Sequence, residues 1–352
     1  MNGLWKRMLL PVAISVLVLP AGCSDDDSSA TDDGGGDVAD VEAESGADGD
    51  AEADGDPDEG ADTGADADGD TDADAEDDGD ADAGCEPPPA PPLVPPRGQV
   101  RLTAQGEGPG VRVDGTAQFA DPAALVWHTE VRREGDCRLL HYGASSCTEP
   151  CWDGVCRGGV CEPFPDYQTA GTVTLTGLGA GPATLEDMGY GVYYVWLPGF
   201  TVVGGAAVGV QATGGEFPAF SIDGRQPSPL EATFTTVDEL HLANGVDTVV
   251  TWTPADFCGS RIRLQLKTTT VSHGLPPTWM IECDVPDTGT LTIPRALVEA
   301  FPATYRWEVC AGVDCPMSVL ARYTRATGGA AGAEAELVVE SVRMFYILHP
   351  AP

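Results

Sequence analysis

The sequence predicts an all-β protein: two tandem antiparallel β-sandwich domains, with a small disulfide-rich insertion in the first, behind a disordered acidic linker. Three observations carry this expectation. From Gly98 onward, short runs alternate apolar and polar residues and are broken by Gly, Pro, Asp and Asn, the period-two pattern of half-buried strands. Ten cysteines beyond Cys23 divide into an even group before residue 230 and an even group after it. Residues 24–84 hold 27 Asp or Glu and no Lys, Arg, His or aromatic residue.

At the start of the chain, Lys6 and Arg7 precede an apolar run from Met8 to Leu19, then Pro20, Ala21, Gly22 and Cys23. A charged start, a short apolar run and a small-residue site read as a signal peptide over residues 1–22. The run is short for a membrane helix, which needs about 20 apolar residues. Leu19-Pro20-Ala21-Gly22-Cys23 resembles the lipobox of bacterial lipoproteins, although Pro20 stands where that family usually has Leu. The resemblance implies cleavage before a diacylglyceryl-modified Cys23. Acyl chains contribute about 0.8 kcal/mol per buried methylene, so lipid on Cys23 is the expected membrane anchor. Ser24 in place of the Asp of inner-membrane lipoproteins implies delivery to the outer membrane, and Ser24-Asp25-Asp26-Asp27 resembles an acidic signal for the cell surface.

Residues 23–84 form the lipidated cysteine and an Asp/Ala/Gly tether that supplies 27 of the 38 units of net negative charge. Ala, Val38 and Val41 cannot bury enough surface to offset chain entropy, and like charges repel, so the tether is expected to be disordered. Asp74, Glu76, Asp78 and Gly79 resemble the start of an EF-hand loop, but the twelfth position is Cys85 and no amphipathic helix flanks it. Weak, diffuse binding of divalent cations is expected there, and no other cofactor or metal. A Pro-rich spacer over 85–97 ends the tether.

The first β-sandwich domain is expected over 98–230, from runs such as 99–105, 124–132, 171–176 and 192–197. The second is expected over 231–352, from 246–253, 261–269, 289–293, 305–310 and 336–348, with one helical turn at 295–301 after Pro294. Arg225-Gln-Pro-Ser-Pro-Leu230 carries the boundary because two prolines follow a glycine. This arrangement is the Ig/fibronectin-like kind of sandwich.

The cysteines are Cys85, Cys137, Cys147, Cys151, Cys156 and Cys161, then Cys258, Cys283, Cys310 and Cys315. In an exported chain an even set reads as disulfides. The insertion 147–161 looks like a hairpin stapled crosswise, Cys147 to Cys156 and Cys151 to Cys161, which leaves Cys85 for Cys137 and no bridge across residue 230. Four thiolates there are also the donor set of a zinc site, which export argues against.

Phrases such as Glu216-Phe-Pro-Ala-Phe-Ser221, Asp247-Thr-Val-Val-Thr-Trp-Thr-Pro254 and Gly289-Thr-Leu-Thr-Ile-Pro294 resemble bacterial surface or outer-membrane lipoproteins with an Asp-rich tether and tandem β-rich domains. No activity is generally assigned to that group, so the resemblance implies an address and an architecture alone.

Chemistry is sparse. His128, His141, His241, His273 and His349 are scattered, and no metal-binding His pair, nucleophile elbow or phosphate loop is present. The expectation is a non-enzymatic, lipid-anchored envelope protein that presents its β-domains for adhesion, partner binding or envelope structure, with a membrane contact through Cys23 and an envelope protein or polysaccharide as partner. A hydrolase assembled from distant residues such as His128, Asp166 and Ser221 is the alternative. Strong acidity excludes a basic nucleic-acid face. Trp127, Trp196, Trp252, Trp279 and Trp307, with Tyr193, Tyr194 and Phe345, would form a carbohydrate platform if exposed; the expectation is instead that the aromatics fill the cores, as Trp252 and Trp307 lie on alternating strands. Tyr190, Tyr193, Tyr194 and Trp196 cluster so closely that some must face outward, making them the candidate binding face.

Overall fold

The computed structural model describes residues 89–350 apart from 107–111, 122–127, 143–146, 148, 152, 158, 234–238, 258, 269–276 and 305–316. The signal peptide, Cys23, the tether, Cys85, Trp127, Cys258, His273, the run 305–310, Trp307, Cys310 and Cys315 lie outside the described residues.

The all-β class is as expected. In chain order the strands are β1 (Gly98–Gln105), β2 (Arg112–Asp121), β3 (Thr129–Glu134), β4 (Cys137–His141), β5 (Gly154–Arg157), β6 (Val160–Pro163) and β7 (Asp166–Tyr167). There follow β8 (Val173–Thr176), β9 (Ala183–Gly189), β10 (Val192–Trp196), β11 (Ala207–Ala212), β12 (Phe220–Arg225), β13 (Ala232–Thr233) and β14 (Glu239–His241). The last are β15 (Thr248–Trp252), β16 (Arg261–Lys267), β17 (Trp279–Pro286), β18 (Thr290–Ile293), β19 (Ser318–Ala330) and β20 (Ala333–Leu348). A single turn of helix, α1 (Arg295–Ala300), precedes β19; its Arg295 N–H donates to Asp247 Oδ1 at 2.7 Å. Pro294 has no side-chain acceptor, so a neighbouring loop supplies the cap.

Thirteen strands pair in the order β12-β11-β8-β9-β10-β2-β1-β20-β19-β16-β17-β4-β3, with β14 added on β20 and β7 on β2. Most pairs are antiparallel, but β20 runs parallel to β1 and to β14, a departure from the wholly antiparallel expectation. Elements far apart in sequence need no hairpin, so nothing forces their direction to alternate. Chain on both sides of residue 230 enters this one sheet, through β1 with β20 and β4 with β17.

Two cores lie side by side on the same face of the sheet. In the first, Val100, Leu102 and Phe119 meet Leu175, Val210 and Ile222, because the sheet curls until Thr324 Oγ1 of β19 donates to the Arg225 carbonyl of β12. In the second, Leu139, Leu264 and Ile281 meet Val250, Trp252 and Ile293 of a three-stranded sheet, β13-β15-β18, with Leu297 and Val298 of α1. β20 serves both: Leu337 and Val339 reach the first core, Phe345 and Ile347 the second.

The segment 225–230 crosses between the cores and is pegged to β19 and β20. Arg322 donates to the Pro229 carbonyl at 2.7 Å, and Leu230 N–H donates to Ser341 Oγ at 3.0 Å. Its prolines therefore mark a fixed crossing.

β5 and β6 form a separate hairpin carrying the Cys147–Cys156 and Cys151–Cys161 disulfides, in the crosswise arrangement expected of the insertion; these thiols are used in disulfides, not as zinc ligands. The expected Cys85–Cys137 bond is corrected. Cys137 joins Cys283, with Cα atoms 4.0 Å apart, and this bridge does cross residue 230. The two residues sit directly opposite each other on adjacent antiparallel strands, where Cβ atoms project to the same face.

Candidate functional site

The face of the sheet opposite the two cores is charged. Alternation within β1, β4, β16, β17, β19 and β20 sends every second side chain to this face, and the register places acids beside bases. Thr103 and Tyr323 lie on either side of Glu340, and Gln265 and Arg138 on either side of Glu282. Glu340 accepts from Arg101 at 2.7 Å, Thr103 at 2.9 Å and Arg263 at 2.8 Å. Glu282 accepts from Gln265 at 2.8 Å and from the Arg138 guanidinium. Glu336 accepts from Arg325 at 2.6 Å and Gln99 at 3.0 Å. Arg263 also lies over the Tyr323 ring, whose hydroxyl donates to Asp284 at 2.7 Å.

The three glutamates are buried, and the charges are tuned by one another. Burial would raise the Glu340 and Glu282 carboxyls, but Arg101 and Arg263 beside the first, and Arg138 and Arg263 beside the second, more than offset it and hold both below the usual range. Lys267, the single lysine beyond the signal peptide, stands on the same face. Burial and the neighbouring Arg263 push its ammonium down to about 8.

Over this face runs the Pro-rich segment 89–96, a strap whose Pro91, Leu93, Pro95 and Pro96 are half-buried while Val94 faces out. Arg97 fastens its end, paired with Asp121 at 2.8 Å and donating to Gln168 Oε1 at 3.1 Å. Between strap and sheet lies a cavity of about 250 Å³ whose walls include Arg101, Arg138, Arg263, Arg325, Glu282 and Glu336. His128 also lines it, its Nε2 2.8 Å from the Pro277 carbonyl, and burial lowers its pKa.

The aromatic cluster is divided by strand alternation. Tyr193 is corrected as a binding residue: it is 1% exposed, its hydroxyl accepts from Ala170 N–H at 2.8 Å, and its ring stands edge-on to Phe119. Tyr194 and Trp196 take the opposite, outer face of β10, where Trp196 is 60% exposed across from Asp114. The Tyr194 hydroxyl donates to Asp114 Oδ1 at 2.7 Å, and Arg112 donates to Oδ2 at 2.9 Å. Tyr190 stands at the tip of the β9–β10 hairpin, 71% exposed. It adopts φ +55°, the single non-glycine residue with positive φ among the described residues, between Gly189 at +86° and Gly191 at +66°. A left-handed aromatic is uncommon and costs about 1 to 2 kcal/mol.

The trio His128, Asp166 and Ser221 is not brought together. His128 is bonded to Pro277, Asp166 lies opposite Asp121 on β7, and Ser221 lies opposite Gln211 on β12. Trp252 is a core residue as expected, Phe345 is buried too, and Trp279 is half-buried against His141. Among the described residues no group of three His, Cys, Asp or Glu is placed to hold a metal ion.

Sequence reading missed the charged face and its cavity. Arg-Ile-Arg-Leu-Gln-Leu-Lys of β16 reads as a strand with one side in water. The available signal was the crowding of arginines into runs 97–101, 132–138 and 261–263 of a chain with only 18 Lys and Arg.

No protein-family model matches the chain, and no curated protein matches it. Among solved structures it is similar to the FN1–FN3 domains of chicken CNTN1, at 5% identity over 66% of this chain and 78% of that one, with a TM-score of 0.14. A likeness that slight carries no argument about fold or function.

Proposed function

We infer that the protein is a lipid-anchored envelope protein that presents its β-lobes to bind envelope polysaccharide through the outer face of β10. The observation that carries the binding reading is Tyr190, an exposed aromatic held in a strained turn at the tip of the hairpin whose second strand ends in exposed Trp196. A two-residue hairpin loop of this kind needs positive φ at both central positions, and a Tyr kept where Asn or Gly is favoured points to a use for its side chain. Flat rings suit the apolar faces of sugars, while Asp114, Glu186 and Gln118 stand across from β10 to bond hydroxyls. Export and anchoring are supported by the Leu19–Cys23 sequence and by disulfides, which persist in oxidising compartments.

The Tyr190→Gly/Trp196→Ala double variant should lose retention by purified envelope polysaccharide in affinity electrophoresis. Tyr190→Gly alone should melt no lower than the parent, since glycine relieves the left-handed strain. Unchanged retention of the double variant would sink the glycan reading.

With residues 1–22 replaced by a signal that is cleaved without lipidation, Cys23→Ser should move the protein from the membrane pellet to the soluble fraction, because the tether offers no apolar segment to replace the lipid. If the variant still pellets after a high-salt wash, the anchor lies elsewhere.

A further inference from the structure

We propose that the cavity beneath the Pro-rich strap is a binding site for a small oxyanion of two or more negative charges, a phosphate or a polycarboxylate. It is separate from the β10 face and does not depend on the glycan reading.

Four arginines line the cavity, Arg101, Arg138, Arg263 and Arg325, against two acidic residues, Glu282 and Glu336. In a chain of net charge −38 this is a local reversal of sign. Glu340 is not among the lining residues, but it accepts from Arg101 and Arg263, holds both side chains in place and takes one unit from that excess of positive charge. An arginine carries five N–H donors. Arg101 spends Nη1 on Glu340, Arg263 spends Nη2 on the same carboxylate, and Arg325 spends Nε on Glu336. The remaining N–H groups of these three have no hydrogen-bond partner among the described residues. Fixed, partly used guanidiniums converging on one space are the fork geometry that phosphate and carboxylate accept bidentately. Their positions are already fixed by ion pairs, so an anion would not have to order them.

The opposite wall fits a small occupant. Pro91, Leu93 and Pro95 offer apolar surface and, apart from Leu93, no backbone donor. A space of about 250 Å³ lies below the range of drug-sized pockets, roughly 300 to 1,000 Å³, and suits a phosphomonoester or a di- or tricarboxylate.

The test uses the whole mature chain with Cys23→Ser to keep it soluble, titrated calorimetrically with inorganic phosphate and with citrate. At least one probe should bind at one site per chain with Kd below about 1 mM. Leu93→Glu places a carboxylate into the cavity from the strap without removing any ion pair, and should weaken that binding at least about tenfold while leaving the unliganded melting temperature unchanged. Arg263→Gln, with its melt checked, should weaken it also. Preference for phosphate or for citrate identifies the source of the anion. No saturable binding of either probe, or equal binding by Leu93→Glu, would overturn the proposal.

Discussion

Asp287→Ala is expected to lower the stability of the fold by about 3 to 5 kcal/mol, the cost of leaving a buried guanidinium without its counter-ion. Asp287 and Arg322 are both buried, and Arg322 Nε donates to Asp287 Oδ2 at 2.7 Å. The same carboxylate accepts from Trp252 Nε1 at 2.6 Å, Ser260 Oγ at 2.8 Å and Ala255 N–H at 3.3 Å. Arg322 in turn donates to the carbonyls of Pro229 and Thr253. One ion pair thus ties together β19, the end of β15, the β17–β18 turn and the segment that crosses between the two cores. Asp287→Asn keeps the shape and part of the hydrogen bonding and should fall between parent and Ala. Urea unfolding gives the difference directly; a loss below about 1 kcal/mol, the range of surface pairs, would mean that water screens the site.

The legible and illegible parts of the structure differ in physical kind. Gln99–Gln105 and Arg261–Lys267 alternate strictly and Val192–Trp196 is a run of β-branched and aromatic residues, and each is a strand within a residue or two of its expected bounds. Pro294 before an apolar pair foretold α1. The crosswise hairpin was readable because its cysteines lie close in sequence. The partner of Cys137 was not, because a strand pairing across the whole chain leaves no local signal. β20 hid its role similarly: Glu336, Val338 and Glu340 look like an exposed stripe, yet neighbouring strands and the strap bury them. Of the four candidate aromatic residues, alternation from Trp196 would have assigned Tyr193 inward, once it was known that Trp196 faces out.

The charged face also explains how one long sheet can carry two cores. A sheet apolar on both sides would need a third layer; here the back of the sheet satisfies itself with ion pairs, and the strap covers only part of it. Burial of such pairs is weak evidence for stability. Its consequence is specificity of register, since a slip of β16 against β17 would set Arg263 and Gln265 opposite the wrong partners.

Removing the Cys137–Cys283 bridge by the double change to Ala should cost about 5 kcal/mol in the chain-entropy picture, because the bond spans 146 residues of sequence. The Cys147–Cys156 bond closes a separation of only 9 and belongs to a hairpin with its own two-stranded sheet. Its removal should cost about 3 kcal/mol locally by the same relation and leave the main unfolding transition in place. The contrast has a structural signature beyond the midpoint. β4 joins the second core through Cys137 and Leu139, and β3 beyond it is an exposed, charged edge strand. Without the long bridge this hairpin should detach first, so amide exchange in 137–141 should accelerate ahead of β16 and β19, whereas in the parent the three strands exchange together. Equal main-transition midpoints for the two double variants, with unchanged exchange in β4, would show that strand pairing alone fixes β4 to β17.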